Sequence, residues 1–317
     1  MCPLNRLSQD NRETPETSNR GNQEVSLWDA DPAELSRGRA MTAAIAKSHY
    51  ENFLVASLLL PKRLKQPFYD VYAFCRTADD VADESPSPQI ATERLAETQR
   101  QLDATFAGLP PTAPFVALAD TIVRFQLPKQ PFDDLMSAFR QDQETTRYAE
   151  FDQLLDYCCR SANPVGRIVL QMSGCCDDDS AALSDQICTG LQLANFWQDV
   201  KRDFEIGRVY LPADQMKRYG VTESDFILGA ERNLTPVSLR DAINQQCELA
   251  EQFLRRGLPL INQVPSWLAA DIRLFAHGGL ATIEAIRRVD FDVLRVRPKV
   301  SKTQQVSMLA RAWLGWL

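Results

Sequence analysis

The chain has 317 residues, 44% of them hydrophobic, and a formal net charge of −7. Its length and apolar content support a large buried core, and its acidic balance excludes nucleic acid as the main partner. Its two histidines, His49 and His277, and eight cysteines without a CxxC pair leave no basis for a zinc site or a histidine-based hydrolase triad, and no GxGxxG or GxxxxGK[ST] marks a nucleotide site.

Residues 1–30 hold no apolar run of the kind a signal peptide needs and read as a disordered tail. Helical periodicity follows over 34–48, 63–84, 88–107, 112–126, 129–142, 151–174, 180–205, 235–256 and 266–289. "SPSP" at 85–88, "GLPPTAP" at 108–114 and "LPKQP" at 127–131 punctuate the series. Alternating strand patterns, repeats and internal linkers are absent. The expectation is a single all-α domain over 31–317, built of packed helices around one core. The cysteines are expected to be buried, reduced thiols of a cytoplasmic protein, and no apolar run is long enough to span a membrane. At the C-terminal end, Met308, Leu309, Ala312, Trp313, Trp316 and Leu317 fall at helical spacing. Such a face docks on the core by default, and its alternative is contact with a membrane interface.

The helix predicted at 63–84 ends in "CRTADDVADE", with acids at 79, 80, 83 and 84. At 100° per residue, Asp79 and Asp83 continue the face that carries Phe68, Tyr72 and Cys75. Two carboxylates on one inward face repel unless a cation or an arginine lies between them, and Arg76 is the nearest local candidate. A second acidic ladder sits in "LQLANFWQDVKRDFEIGRVYLP" at 191–212, where Asn195, Asp199 and Asp203 recur every fourth residue and Gln192 precedes them. One ladder alone reads as a solvated helix end, but two of the same spacing call for a shared partner. Hard oxygen ligands in this number suit Mg²⁺ bridged to a diphosphate. Expulsion of that diphosphate leaves a carbocation, which an apolar, aromatic pocket would shelter. Tyr72, Phe74, Phe196 and Trp197 are the aromatics beside the ladders.

With "YAFCRTADDVADE" at 72–84, "YCCRSANPVG" at 157–166 and "NFWQDVKRDFEIGRVYLP" at 195–212, the sequence resembles the squalene/phytoene synthase family. The resemblance runs from about residue 45 to 303. It implies an isoprenoid synthase helical fold with a central cavity and Mg²⁺-dependent chemistry on prenyl diphosphates, with two or three ions and no nucleotide cofactor. It implies that Asp79, Asp83, Asn195, Asp199 and Asp203 are the metal ligands, and that Tyr72, Arg76 and Tyr157 act in catalysis beside them. Arg297 and Lys302 would grip diphosphate, and His49, Asn52 and Phe53 would line its pocket. His277 is expected to be structural.

Within the family, "SHYENFLVAS" at 48–57 and "SANPVG" at 161–166 resemble bacterial hydroxysqualene synthases of hopanoid pathways. That resemblance implies conversion of presqualene diphosphate and water to hydroxysqualene. It also implies pathway neighbours, a presqualene diphosphate synthase and a squalene desaturase, and a cytoplasmic location, at most peripheral to the inner face of the membrane. Two alternatives stand beside it: head-to-head condensation to presqualene diphosphate, phytoene or dehydrosqualene, and a non-catalytic isoprenoid-binding or scaffold protein. Pro164 is expected to bend its helix. Arg160 stands where squalene synthases are aromatic, and Gly278 and Gly279 stand where relatives carry a tyrosine.

Overall fold

The computed structural model describes residues 30–48, 60–301 and 304. The N-terminal tail, His49, Asn52, Phe53, Lys302 and the apolar C-terminal face lie outside these residues. The described residues are all-α, with an isolated bridge between Arg147 and Val209 as their β pairing. Thirteen α-helices follow in order: α1 (Pro32–Ser48), α2 (Lys62–Asp83), α3 (Pro88–Phe106), α4 (Ala113–Phe125), α5 (Gln130–Gln141), α6 (Phe151–Ser161), α7 (Asn163–Ser173), α8 (Asp178–Gln198), α9 (Val200–Glu205), α10 (Ala213–Tyr219), α11 (Glu223–Arg232), α12 (Val237–Gly257) and α13 (Ser266–Arg288). A 3₁₀ turn, Leu258–Asn262, joins the last two.

Local chemistry sets many of the boundaries. Ser87 caps α3 by accepting from the Ile90 amide at 3.3 Å, with Pro88 in the first turn. Asp177 and Ser180 form a reciprocal cap at the start of α8. The predicted helix 151–174 is in fact two: the chain breaks at Ala162, and Pro164 occupies the first turn of α7. A proline there costs no hydrogen bond, so it opens a helix more readily than it bends one. The predicted helix 180–205 is likewise divided, at Asp199. The Asp199 amide still donates to the Asn195 carbonyl at 3.0 Å, and the Asp203 amide to the Asp199 carbonyl at 2.9 Å. The acidic stripe therefore keeps its register through the kink. Helices α10 and α11 were not expected, because seven- and ten-residue amphipathic segments give little periodicity to read.

Two apolar clusters form the interior. One gathers Leu95, Leu102, Phe132 and Met136 around α2 to α5, and the other gathers Trp197, Phe226, Ile243 and Ile286 around α8, α11, α12 and α13. The acidic end of α2 sits on the first cluster and the acidic end of α8 on the second, so the space between them becomes the site. Cys75, Cys158, Cys175, Cys176, Cys188 and Cys247 are free thiols, but of these only Cys158 and Cys247 are buried, Cys75, Cys175 and Cys188 being half-buried and Cys176 exposed, and Cys159 is disulfide-bonded rather than reduced. No described helix is long and apolar enough to cross a membrane.

Candidate active site

Helices α2 and α8–α9 direct their acidic ends into one chamber of about 450 Å³. Asp79, Asp83, Asn195, Asp199 and Asp203 all line it, together with Tyr72, Arg76 and Tyr157. The two ladders of the sequence are thus brought face to face. Burial, then the neighbouring Asp83, pushes the Asp79 carboxyl up to about 6. Burial, then Asp199, pushes Asp203 up to about 7. Carboxylates held this close ionise reluctantly.

Arginines face the acids. Arg76 pairs with Asp79 at 3.2 Å and also with Asp80. Arg297, from the segment after α13, makes a two-pronged pair with the buried Asp199 at 2.5 and 3.0 Å. Gln198 fixes that segment by donating to the Pro298 carbonyl at 2.8 Å. With the acids paired this way, no three of the described His, Cys, Asp or Glu side chains converge tightly enough to hold an ion.

Sequence reasoning missed Arg208, Asp142 and Tyr210, which complete the chamber. Arg208 donates to Asp83 at 3.1 Å. Burial pulls its proton affinity down, but Tyr210, Asp142 and Asp83 outweigh that and hold the guanidinium more firmly protonated than usual. Gly207, at φ 85°, supplies the left-handed turn that brings Arg208 back over α9, and the Arg208 amide closes that turn on the Asp203 carbonyl at 2.7 Å. The signal was the "GRVYLP" that follows the second ladder. Asp142 caps the end of α5 and accepts from the Tyr157 hydroxyl at 3.0 Å. Burial lifts its carboxyl to about 6. No spacing in the sequence ties Asp142 to either ladder.

An aromatic wall closes one side. Phe196 and Tyr210 stack with ring centroids 3.8 Å apart, and Tyr157 lies 6.2 Å from each. Of the four aromatics singled out in the sequence, Tyr72 and Phe196 line the chamber, whereas Phe74 and Trp197 are core residues. Arg160 turns to the outer surface, where it donates to Ser137, Gln141 and Asp156.

A second cavity, of about 400 Å³, opens from the chamber at Tyr72, Cys75 and Val165. It runs between α2, α7, α8 and α13 as an apolar tunnel. Close helix packing closes it on the far side of α8: a Cβ at Gly190 would meet Leu254 at 2.8 Å, and one at Gly279 would meet Leu191 at 2.9 Å. A side chain at Gly279 would have to displace the tips of Leu191 and Leu254, whereas Gly278 faces open space.

Residues 46–304 match the family model for squalene/phytoene synthase. A phytoene synthase of Arthrospira platensis is 28% identical, over 89% of this chain and 94% of its own. A 15-cis-phytoene synthase of Synechocystis sp. is 30% identical, over 87% of this chain and 83% of its own. Among solved structures, squalene synthase HpnC from Alicyclobacillus acidocaldarius superposes with a TM-score of 0.77 at 38% identity, covering 83% of this chain and 97% of that one. A dehydrosqualene synthase bound to a ligand shares the fold, with a TM-score of 0.79 at 24% identity over 89% and 98% of the two chains. With its motifs assembled around one chamber and the family model matched over residues 46–304, the chain belongs to the squalene/phytoene synthase family.

Proposed function

We propose that the protein converts presqualene diphosphate and water to hydroxysqualene and diphosphate, a step of squalene and hopanoid biosynthesis. The observation that carries this reading is the junction at Tyr72, Cys75 and Val165, where a chamber of acids and arginines opens onto an apolar tunnel. One end suits a diphosphate and the other a prenyl chain. The 38% identity to a squalene synthase, HpnC, against 28% and 30% to two phytoene synthases, supports a place in squalene rather than phytoene formation.

The donor set fits a hard cation. Asp79, Asp83, Asn195, Asp199 and Asp203 supply only oxygen ligands from their side-chain carboxylates and amide, and Oδ2 of Asp203 is buried without a hydrogen-bond partner. These five residues would hold two or three Mg²⁺ ions, and bound Mg²⁺ would neutralise charge building on the leaving diphosphate. Arg76, Arg208 and Arg297 bind diphosphate oxygens, exchanging their aspartate partners for it.

As the C–O bond breaks, its electron pair leaves with diphosphate. The cyclopropylcarbinyl cation left behind rearranges beside Tyr72, Tyr157, Phe196 and Tyr210, whose ring faces stabilise positive charge. A water oxygen bonds to the rearranged cation and one of its protons departs. The conversion is redox-neutral and needs no nucleotide cofactor. Its substrate comes from a presqualene diphosphate synthase and its product passes to a squalene desaturase, in the cytoplasm or at the inner face of the membrane.

The test is a product assay with Mg²⁺ and no NADPH, read by mass spectrometry. Hydroxysqualene is expected from presqualene diphosphate, with farnesyl diphosphate left intact. Consumption of farnesyl diphosphate would instead assign head-to-head condensation, the reading that the phytoene synthase relatives favour. The break before Pro164 gives a second check. There the Val165 amide donates to the Ala162 carbonyl at 3.2 Å, and the Ser161 hydroxyl, which lines the chamber, is buried without a partner. Pro164→Ala restores an amide that can extend the helix, and it is expected to lower the alcohol-to-hydrocarbon ratio several-fold, with an unchanged ratio counting against a role for the break in water capture.

A further inference from the structure

The apolar tunnel has a direction. Leu191 on α8, Cys75 on α2 and Val165 on α7 mark its chamber end, while Ser184, Phe68 and Met172 lie about two to three turns away on the same helices. Helix α13 runs parallel to α8. Gly279 abuts Leu191, and α12 packs antiparallel against α8, with Gly190 against Leu254 and Gly257 against Leu183 and Ile187. Asp271, two turns before Gly279, is therefore level with Ser184 at the deep end, beside Leu260 and Leu268. At ~1.5 Å per residue it lies roughly 16 Å along the helix axes from Asn195.

Asp271 is the one carboxyl among the described residues that line the tunnel. It is 4% exposed, and its Oδ1 is buried without a hydrogen-bond partner. No arginine or lysine pairs with it among the described residues, and burial alone pushes its carboxyl up to about 8. Leu260 and Leu268, which flank it, are almost fully buried. An unpaired acid at the bottom of an apolar tunnel is costly, and packing does not require it.

We infer that Asp271 is a specificity-determining residue, whose polar carboxyl ends the apolar tunnel and so limits the length of prenyl chain the site accepts. A chain that stops short of the floor leaves room for a water on the carboxyl. A chain one isoprene unit longer displaces that water and sets hydrocarbon against an unsatisfied acid. The inference rests on the reading that the tunnel takes a farnesyl-derived arm.

The experiment is calorimetric binding of farnesyl and geranylgeranyl thiodiphosphates in Mg²⁺, to the full-length protein and to Asp271→Asn, Asp271→Ala and Asp271→Leu. Wild type is expected to bind the farnesyl analogue roughly tenfold or more tightly than the longer one. Asp271→Asn keeps a polar floor and keeps that preference. Asp271→Leu and Asp271→Ala bring the two affinities to within about twofold, by strengthening the longer analogue and leaving the shorter unchanged. Two apolar variants of different size guard against one failing to fold. An unchanged ratio in both, equal affinities in wild type, or no binding of either analogue would overturn the inference. Thiodiphosphates bind without turnover, so a product assay that moved the protein to the condensing branch would leave an altered ratio at Asp271 standing.

Discussion

Asp203→Asn is expected to lower kcat/KM for presqualene diphosphate on the order of a thousandfold, about 4 kcal/mol of transition-state stabilisation, while raising the melting temperature of the metal-free protein. The two effects have one cause. Asp203 sits against Asp199, with one oxygen buried and unpartnered and its carboxyl pushed up to about 7. Without a cation this arrangement costs stability, and an amide of the same shape removes the repulsion. With Mg²⁺ and diphosphate the same carboxylate becomes a ligand that the amide replaces poorly. A purely structural acid behaves in the opposite way, since its loss lowers the melting temperature and spares the chemistry. Asp79→Asn should follow the same pattern with a smaller thermal gain, because its side chain is 43% exposed. Steady-state kinetics and a thermal melt in chelator decide the matter, and an activity within tenfold of wild type would remove Asp203 from the proposed metal set.

The same physics explains which parts of the fold and site were legible in the sequence. The ladder residues could be placed because i, i+4 spacing puts side chains on one helical face whatever the tertiary packing. Asp199 shows how robust that is, since the helix kinks at it and the stripe survives through two intact backbone hydrogen bonds. Asp142 and Arg208 could not be placed in the same way. Their roles depend on where α5 ends and on how the turn at Gly207 folds back, and neither leaves a periodic trace. Asp271 is the sharper case. In sequence it is an acid in an amphipathic helix, "SWLAADIRLFAHGG", that no motif or spacing singles out. Only the parallel packing of α13 on α8 turns it into the tunnel. Pro164 is expected from the sequence to bend a continuous helix, but the chain breaks before it and the proline starts a new helix, a distinction that depends on the backbone at Ala162 and not on the residue type.

The metal-free protein is expected to lose stability as the pH climbs from about 4 to about 8, and Asp271→Leu is expected to flatten much of that slope. Burial raises the folded-state values of Asp79 and Asp142 to about 6, of Asp203 to about 7 and of Asp271 to about 8, from an ordinary value of 3.8. Above pH ~4 the unfolded chain has released protons that the folded chain still holds, so raising the pH favours unfolding until each folded-state value is passed. The contributions of Asp79 and Asp142 are spent by about pH 6 and that of Asp203 by about pH 7, while that of Asp271 continues to about pH 8; buried Asp70 and Asp185 act in the same sense, and His277, held below its ordinary value by burial and then Arg255, acts in the opposite sense as the pH rises toward ~6.5. Carboxyls held below their ordinary range, such as Asp177 capped by Ser180 and Glu223 paired with Arg147, act in the opposite sense and only toward acid, where their protonation destabilises the fold. Stability in chelator should therefore peak at mildly acidic pH. Since Asp271 is almost fully buried and unpaired, its share at pH 8 is on the order of a few kcal/mol, and Asp271→Leu should melt roughly 5–10 °C above wild type there. The gap should close toward pH 4, where both proteins carry a neutral side chain at this position. Equal melting temperatures at pH 8 would mean that the carboxyl is solvated or paired in solution, and the case for a costly polar floor would fail with it. A widening gap with rising pH would show that the fold tolerates at Asp271 a charge that packing alone would have replaced with leucine.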